Sequence, residues 1–178
     1  MSRFSVRDAN VTDIPELAAL LADAFNHSDA CYPEEAPPNV RELAVRMQTG
    51  EVFLLAEDGG HLVGAVRRPP DEDGIALFDL LCASVVGVGR ALIRSLEARA
   101  QDDGLRLLRA SLPDEPRLAG YFASLGYLPI GRAIENFRGG TILILTVERR
   151  LPLLTVREQR RSDAAAIAAL SGEDPWPF

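Results

Sequence analysis

The sequence predicts an α/β domain with a mixed β-sheet of about seven strands flanked by about four helices. The first observation is an apolar content of 47% in 178 residues, enough to bury a core without disulfides or metals. The second is that short β-rich runs bounded by turn residues are interspersed with amphipathic segments of helical period. The third is their order. Helices alternate with strands only in the second half of the chain, which favours a mixed sheet.

The first half of the chain predicts one strand, two helices and a hairpin. Residues 4–7 form the opening strand, and Thr12 or Asp13 caps the helix that follows. Residues 26–38 are polar and rich in proline, so they predict a loop, and a second helix follows over 40–47. In VFLLAEDGGHLVGAVRR, two β-rich segments flank EDGGH, which is a strong signal for a hairpin.

The second half predicts a central strand, two helices and a closing hairpin. Residues 75–83 (IALFDLLCA) are apolar on both faces, as in a strand at the centre of a sheet. The segment SVVGVGRALIRSLEARAQ passes from a glycine-containing loop into a helix that ends at Gly104. Residues 105–111 then return as a strand, a short helix ends at Gly126, and YLPIGRAIENF and TILILTVERR form the last hairpin.

The composition excludes several functional classes. A net charge of −7 disfavours nucleic acids and anionic membranes as partners, and it suits a cationic or amine substrate. The two cysteines, Cys31 and Cys82, form no CxxC pair, so we expect neither a metal site nor a disulfide framework. The start MSRFSVRDA lacks the features of a signal peptide and no run of about 18 apolar residues occurs, so we expect a cytoplasmic protein.

An internal repeat divides the chain into two unequal parts. Residues 4–20 recur without gaps at 154–170, where VRDANVTDIPELAAL aligns with VREQRRSDAAAIAAL. We therefore predict a complete domain over 1–150. Over 151–178 we predict a partial copy of the opening strand and helix, as a tail or as the start of a truncated second domain. The alternative is coincidence, because alanine-rich helices resemble one another.

Several segments together resemble the GNAT acetyltransferase superfamily over roughly residues 4–150. They are the opening VRDANVTDIPELAAL, the hairpin VFLLAEDGGHLVGAV, and the segments LFDLLCASVVGVGRALI and GYFASLGYLPIGR. The family pattern Q/R-x-x-G-x-G/A falls here on SVVGVG, and the pattern Y-x-x-x-G-F begins at Phe122. The resemblance implies the GNAT fold, a mixed and splayed sheet in which acetyl-CoA enters where the fourth and fifth strands part.

The resemblance implies a binding loop for the pyrophosphate of acetyl-CoA, formed by Ser84, Val85, Val86, Gly87, Val88, Gly89 and Arg90. Backbone N–H groups at a helix N-terminus suit such an anion, because they are unpaired and the helix dipole is positive there. Glycines permit unusual φ values and close approach of the backbone. The alternative is a simple turn at the start of a helix, with small residues chosen for packing.

The resemblance also implies which residues lie beside the thioester: Leu80, Leu81, Cys82 and Phe122. A backbone N–H group of the first three residues could stabilise the oxyanion of the tetrahedral intermediate. The alternative is that these residues only fill the core, which for a cysteine is common.

Acetyl transfer requires an unprotonated amine, so a base or a water relay assists at neutral pH. Asp79 is the first candidate for this base, because it is an acid within an otherwise apolar strand. The alternative is an aspartate near the exposed end of the strand, paired with an arginine. Glu135 in the last hairpin is the second candidate, with plain solvation as its alternative.

The chain departs from the family pattern at three positions. Ser84 replaces the usual glutamine or arginine, and Val85 replaces a common glycine and would resist positive φ. Phe122 replaces the tyrosine that protonates the departing thiolate in many members. Tyr121 is no simple substitute, because adjacent residues are turned by about 100° around a helix.

Two hypotheses follow for the function. The first is an acetyl-CoA-dependent N-acetyltransferase that acts directly on an amine of a small molecule or peptide, without a metal, and as a monomer or a homodimer. The second is a non-catalytic GNAT domain that serves as a CoA-binding or regulatory module. The departures at Ser84 and Phe122 motivate the second hypothesis.

Overall fold

A computed structural model describes residues 4–27, 36–137 and 140–152 of the chain. Eight strands and four helices follow one another along these residues: β1 (Ser5–Asp8), α1 (Ile14–His27), α2 (Val40–Gln48), β2 (Val52–Asp58), β3 (His61–Arg68), β4 (Ile75–Leu77), β5 (Asp79–Ala83), α3 (Val88–Asp102), β6 (Leu107–Pro113), α4 (Pro116–Ser124), β7 (Leu128–Phe137) and β8 (Gly140–Arg150). The predicted order of helices and strands is confirmed, except that two strands, β4 and β5, take the place of the one predicted over residues 75–83. The predicted mixed α/β architecture is confirmed as well.

The strands form two four-stranded sheets, with the orders β1-β2-β3-β5 and β4-β6-β8-β7. All pairs are antiparallel except β4 with β6, which is parallel. The second sheet is therefore mixed, and the chain passes from it to the first sheet between β4 and β5.

The single central strand predicted over residues 75–83 is wrong, because the chain changes sheets within it. Ile75–Leu77 pairs with β6, and the N–H group of Phe78 donates the last bond to the carbonyl of Arg109, at 3.0 Å. Asp79–Ala83 pairs with β3 instead. An apolar pattern on both faces reports burial, but it does not specify the neighbouring strand.

The start of α1 also differs from the prediction, because Asn10 and not Thr12 or Asp13 is the capping residue. The Asn10 side chain accepts from the N–H of Thr12 at 2.9 Å, and the Asn10 N–H donates to the Asp13 carboxylate at 2.7 Å. Asp13 therefore closes the capping box from the third position of the turn over Val11–Asp13. Arg7 donates two hydrogen bonds to the same carboxylate, at 2.7 and 2.8 Å.

Helices cover both faces of the first sheet. Along β2, Phe53 and Leu55 pack in one cluster with α1 and α2, whereas Leu54 and Ala56 pack in another with α3. The residues predicted to repeat along α3, Val88, Leu92, Leu96 and Ala100, are all fully buried in the second cluster. The helix that follows the glycine loop is thus fixed against the sheets along its whole length.

The predicted repeat falls only partly within the described residues. Its first copy forms β1 and α1, as expected. Residues 154–170, which carry the second copy, lie outside the described residues, so the partial second domain stays a prediction. No helix in the described ranges is long and apolar enough to cross a membrane.

Candidate active site

A cleft of about 580 Å³ lies beside β5, the strand that follows the change of sheets at Phe78. Strand β5, the loop after it, the first turn of α3 and one face of α4 surround it. The lining residues are Leu81, Ala83, Val85, Val86, Gly87, Gly89, Arg90 and Tyr121. The structure therefore brings together most of the residues predicted for the cofactor site.

The outer end of the cleft is the N-terminus of α3. Gly87 caps this helix with φ at 92° and without a side-chain hydrogen bond. The N–H of Val88 donates to the carbonyl of Val85 at 3.2 Å, while helix geometry leaves the N–H groups of Gly89 and Arg90 without carbonyl partners one turn back. These groups and the positive end of the helix dipole form a favourable site for an anion.

The substitutions in this loop leave its geometry intact. Gly87 has the left-handed conformation that glycine permits, whereas Val85 is not among the described residues with positive φ. The expected conflict at Val85 therefore does not arise. Ser84 donates from its hydroxyl and its N–H to the carbonyl of Val63, at 3.1 and 2.9 Å, which ties the loop to β3.

A glycine that the sequence analysis overlooked, Gly64 on β3, lets α3 approach the sheet. A Cβ atom at this position would lie 2.5 Å from the Cγ1 of Val88 and 2.8 Å from the carbonyl oxygen of Cys82. The side chain of a larger residue would therefore push the first turn of α3 away from β5. A glycine inside a strand is the signal that could have revealed this close approach.

The inner wall of the cleft is an irregular part of β5. Asp79 lies opposite Arg67 and Cys82 lies opposite Ala65, so two residues, Leu80 and Leu81, face one residue of β3. Such a bulge leaves backbone groups outside the regular ladder. Leu80 has a φ of 48°, which a leucine rarely adopts and which marks a constrained site.

The side chains of the predicted thioester-binding residues point to both faces of the sheet. Leu81 packs against the cluster under α3 and lines the cleft, whereas Leu80 and Cys82 pack against the cluster under α1 and α2. The side chains of Leu80 and Cys82 therefore point away from the cleft, and a ligand in the cleft could contact only their backbone. The role predicted for these residues, donation of a backbone N–H group, needs no side chain in the cleft.

On α4 the structure exchanges the expected roles of two neighbouring aromatic residues. Phe122 is 5% exposed and packs in the core, so its side chain does not line the cleft as predicted. Tyr121 lines the cleft instead, and its hydroxyl lies 3.0 Å from the point where a Cβ of Gly89 would stand. Adjacent residues of a helix point in directions about 100° apart. Because α4 turns the side with Phe122 toward the core, Tyr121 is the residue that faces the cleft. Burial raises the pKa of Tyr121, and the charge of Arg90 partly offsets this effect.

Asp79 forms an ion pair at the start of β5, as the alternative interpretation expected. The Nε of Arg67 donates to one carboxylate oxygen at 2.6 Å, and a second guanidinium nitrogen donates to the other. Arg67 also donates to Glu51 at 2.9 Å. Burial and the neighbouring charge of Asp79 raise the pKa of Glu51. Asp79 is 40% exposed at its side chain, so solvent still reaches it.

Glu135 is not brought to the cleft. It lies on β7, the outer strand of the second sheet, opposite Ile142 of β8, and it is exposed to solvent. This exposure agrees with the alternative interpretation, in which Glu135 is a solvated side chain. Elsewhere in the described ranges, no three His, Cys, Asp or Glu side chains are grouped as a metal ion would require.

Comparison by sequence matches the chain to no family model and to no curated protein. Comparison of structures gives many matches. A ribosomal-protein-alanine N-acetyltransferase from Brucella melitensis has a TM-score of 0.71 at 22% identity, with 83% of this chain and 99% of that chain covered. A GNAT superfamily phosphinothricin acetyltransferase from Sinorhizobium meliloti, solved with acetyl-CoA, has a TM-score of 0.73 at 20% identity, with 84% and 89% covered.

A third match is a Salmonella typhimurium structure that contains its cofactor acetyl-CoA. Its TM-score is 0.69 at 16% identity, and 87% of this chain and 98% of that chain are covered. The matched proteins are covered almost completely, so the likeness extends over a whole domain. The chain therefore has the GNAT fold.

Proposed function

We propose that the protein is an acetyl-CoA-dependent N-acetyltransferase. The observation that carries the proposal is the cleft between β5 and α4, bordered at its outer end by the N-terminus of α3. Two proteins of the same fold were solved with acetyl-CoA, which supports a thioester ligand in this cleft.

The residues of the cleft fit such a ligand. The N–H groups of Gly89 and Arg90 would hold the pyrophosphate, since neither Gly87 nor Gly89 has a side chain to obstruct it. Leu81 and Ala83 provide an apolar wall for the pantetheine arm. Acetyl-CoA, when bound, would supply the activated acetyl group.

The transfer we propose is direct. The amine nitrogen forms a bond to the acetyl carbon, the carbon–sulfur bond breaks, and CoA leaves as a thiolate, which a thiol pKa of about 8.5 permits. The amine proton passes to solvent, and the backbone beside Leu80 stabilises the oxyanion. Cys82 packs away from the cleft, which favours direct transfer over a cysteine-bound intermediate.

The acceptor we propose is an amine of a small molecule or a peptide. One matched structure is named for ribosomal-protein alanine and another for phosphinothricin, so the neighbours favour neither class. A net charge of −7 suits a cationic acceptor. The homodimer and the cytoplasmic location stay predictions, the former in keeping with exposed apolar residues on β7 such as Ile130 and Ile134.

A calorimetric titration with free CoA and acetyl-CoA tests the proposed site. We expect both ligands to bind the wild-type chain and Gly89→Asp to abolish binding, because it places a carboxylate among the N–H groups that hold the phosphates. Gly131→Asp adds the same charge on β7, where a new Cβ meets nothing within 4 Å, and should leave binding unchanged. Equal loss in both variants, or no binding by the wild type, contradicts the proposal.

A second candidate function is a CoA-binding module without catalysis. Phe122 favours it, because this residue stands where the family pattern has a tyrosine and its ring packs in the core instead of lining the cleft. Release of free thiol with a panel of small amines and peptides distinguishes the two functions. Release that disappears in Gly89→Asp supports the enzyme, whereas CoA binding without release from any acceptor supports the module.

A further inference from the structure

Three polar side chains outside the cleft, Glu97, Tyr127 and Arg149, form a network that joins α3 to the end of α4. Glu97 of α3 is 8% exposed, and Tyr127, the residue before β7, is 1% exposed. One carboxylate oxygen of Glu97 accepts from the Tyr127 hydroxyl at 3.1 Å and from the Arg149 guanidinium at 2.9 Å. A buried carboxylate without partners would be costly, so these two donors hold Glu97 in place.

Tyr127 is attached to α4 by its backbone and by its ring. Its N–H group donates to the carbonyl of Phe122 at 3.1 Å, and the two rings pack edge to face with their centroids 5.5 Å apart. Burial and the adjacent carboxylate raise the pKa of Tyr127, so its hydroxyl keeps the proton that it donates to Glu97. This hydrogen bond therefore ties the end of α4 to α3.

Arg149 of β8 makes a second connection to the same end of α4. The nitrogen that donates to Glu97 also donates to the carbonyl of Leu125, at 2.6 Å. Leu125 is the C-cap residue of α4, where a helix leaves carbonyl groups without partners and its dipole is negative. The guanidinium therefore stabilises the end of α4 and holds it beside Glu97.

Both helices that the network joins contribute residues to the cleft. Gly89 of α3 and Tyr121 of α4 line it, and the Tyr121 hydroxyl lies 3.0 Å from the point where a Cβ of Gly89 would stand. Tyr121 precedes Leu125 by about one helical turn, and Gly89 lies about 12 Å along α3 from Glu97. A shift of α4 relative to α3 would therefore change the spacing of Tyr121 and Gly89.

We propose that Glu97 is a positioning residue that sets the spacing of α3 and α4 and thereby the fit of the cleft to CoA. Glu97 acts through Tyr127 and Arg149 and does not line the cleft itself. The inference rests on the proposed function, because that function supplies the ligand of the cleft. It extends that function by assigning an effect on ligand affinity to a residue that the ligand does not touch.

Paired substitutions at Glu97 test the inference in the full chain. Glu97→Gln keeps a side-chain oxygen that can accept both hydrogen bonds, whereas Glu97→Ala removes it. In calorimetry with free CoA, we expect a dissociation constant within about threefold of the wild-type value for Glu97→Gln, and one about tenfold higher for Glu97→Ala. Tyr127→Phe removes one of the two bonds and should give an intermediate value.

A substitution at the opposite end of α3 provides the control for a merely structural role. The buried Arg68 donates to Asp71 at 2.8, 2.9 and 3.1 Å, and to Asp103, the C-cap residue of α3, at 2.6 Å. Asp71→Ala should lower the thermal unfolding temperature, because it removes a carboxylate from a buried arginine. It should leave the affinity for CoA unchanged, because Arg68 joins α3 to the turn after β3 and not to α4.

A measurement without ligand separates the inference from the function on which it rests. In NMR spectra of the free protein, Glu97→Ala should shift the amide resonances of Gly89 and Tyr121, whereas Glu97→Gln and Asp71→Ala should leave them in place. If Glu97→Ala does not fold, Tyr127→Phe takes its place in both measurements.

The outcomes then divide clearly. Unchanged CoA affinity in folded Glu97→Ala, or an equal loss of affinity in Asp71→Ala, overturns the inference while the proposed function stands. If the wild type does not bind CoA, the proposed function fails. In that case shifted resonances of Gly89 and Tyr121 still support the positioning of the two helices by Glu97, and unchanged resonances overturn it.

Discussion

The loop that begins α3 and the aromatic core of the domain are built from different parts of the chain. The loop presents backbone N–H groups around Gly87 and Gly89, and the side chain of Val86 beside them is fully exposed. The aromatic core contains the side chains of Phe78 and Phe122, which are almost fully buried. We therefore expect side-chain changes in the loop to be tolerated as long as its backbone is kept, whereas side-chain changes in the aromatic core alter packing directly.

The largest expected effect comes from truncation of a ring in the aromatic core. Phe122→Ala should lower the free energy of unfolding by about 3–5 kcal/mol, because it removes a buried ring and leaves a cavity. Val86→Ala at the outer end should change it by less than about 0.5 kcal/mol, because Val86 is fully exposed. Urea denaturation measures both values. Similar losses of stability in the two variants would remove the contrast between the loop and the aromatic core.

The next effect concerns the backbone of the outer end. Gly64→Ala should destabilise the fold by about 1–3 kcal/mol, because its Cβ would lie 2.5 Å from Val88 Cγ1 and 2.8 Å from the Cys82 carbonyl. It should also weaken CoA binding, since the first turn of α3 must move. Gly131→Ala, with open space around its new Cβ, is the control. Unchanged stability and CoA affinity in Gly64→Ala would mean that α3 does not depend on this contact.

A smaller effect on stability is expected at Asp13 of the capping box, which lies outside the cleft and serves as a reference. Hydrogen bonds from Arg7 lower the pKa of Asp13, with a further contribution from the N–H of Asn10 and an opposing one from burial. A lowered pKa in the folded state contributes stability above the unfolded value of 3.8, and that stability is lost as pH falls through the folded pKa. Asp13→Asn should therefore cost about 1–2 kcal/mol at pH 7 and progressively less in acid.

Denaturation as a function of pH measures this reference effect, and CoA titration accompanies it. We expect the affinity of Asp13→Asn for CoA to equal that of the wild type, because the capping box is not part of the cleft. A variant that loses stability equally at all pH values, or that loses CoA affinity, would contradict this assignment.

The smallest expected effect belongs to Tyr121, which lines the cleft close to Gly89. Tyr121→Phe removes one hydroxyl near Gly89 and should raise the dissociation constant for CoA about threefold to tenfold, the worth of one hydrogen bond. Its stability should match that of the wild type. Acetyl-pantetheine lacks the pyrophosphate, so its affinity should not respond to the substitution. A loss with both ligands would place the hydroxyl on the pantetheine arm instead.

Local sequence signals predicted much of this structure. The turn EDGGH lies between β2 and β3, the repeat along α3 is buried, and Gly87 has the positive φ that its residue type permits. Each signal depends on a few neighbouring residues, through turn chemistry, helical periodicity or the absence of a Cβ. The loop that starts α3, with the left-handed conformation of Gly87, could therefore be predicted from the sequence.

Other features depend on partners distant in the chain. The carboxylate of Asp13 accepts a hydrogen bond from the N–H of the capping residue Asn10, and it accepts hydrogen bonds from Arg7 as well. The sequence pattern for a capping residue fitted Thr12 and Asp13 equally well. Gly64 and Val88 meet only because β3 and α3 pack together. No local pattern records such a contact, so the sequence analysis overlooked it.

By itself, the sequence determined the order of the elements, the mixed α/β class and the glycine loop at the start of α3, because these follow from short-range periodicity and backbone chemistry. Only the tertiary structure decided that residues 75–83 serve two sheets, that Tyr121 and not Phe122 faces the cleft, and that Asp79 pairs with Arg67. Each of these depends on which strand or helix face lies opposite. An apolar run, a pair of adjacent aromatic residues or a lone carboxylate fits more than one such neighbour, and packing of the whole chain selects among them.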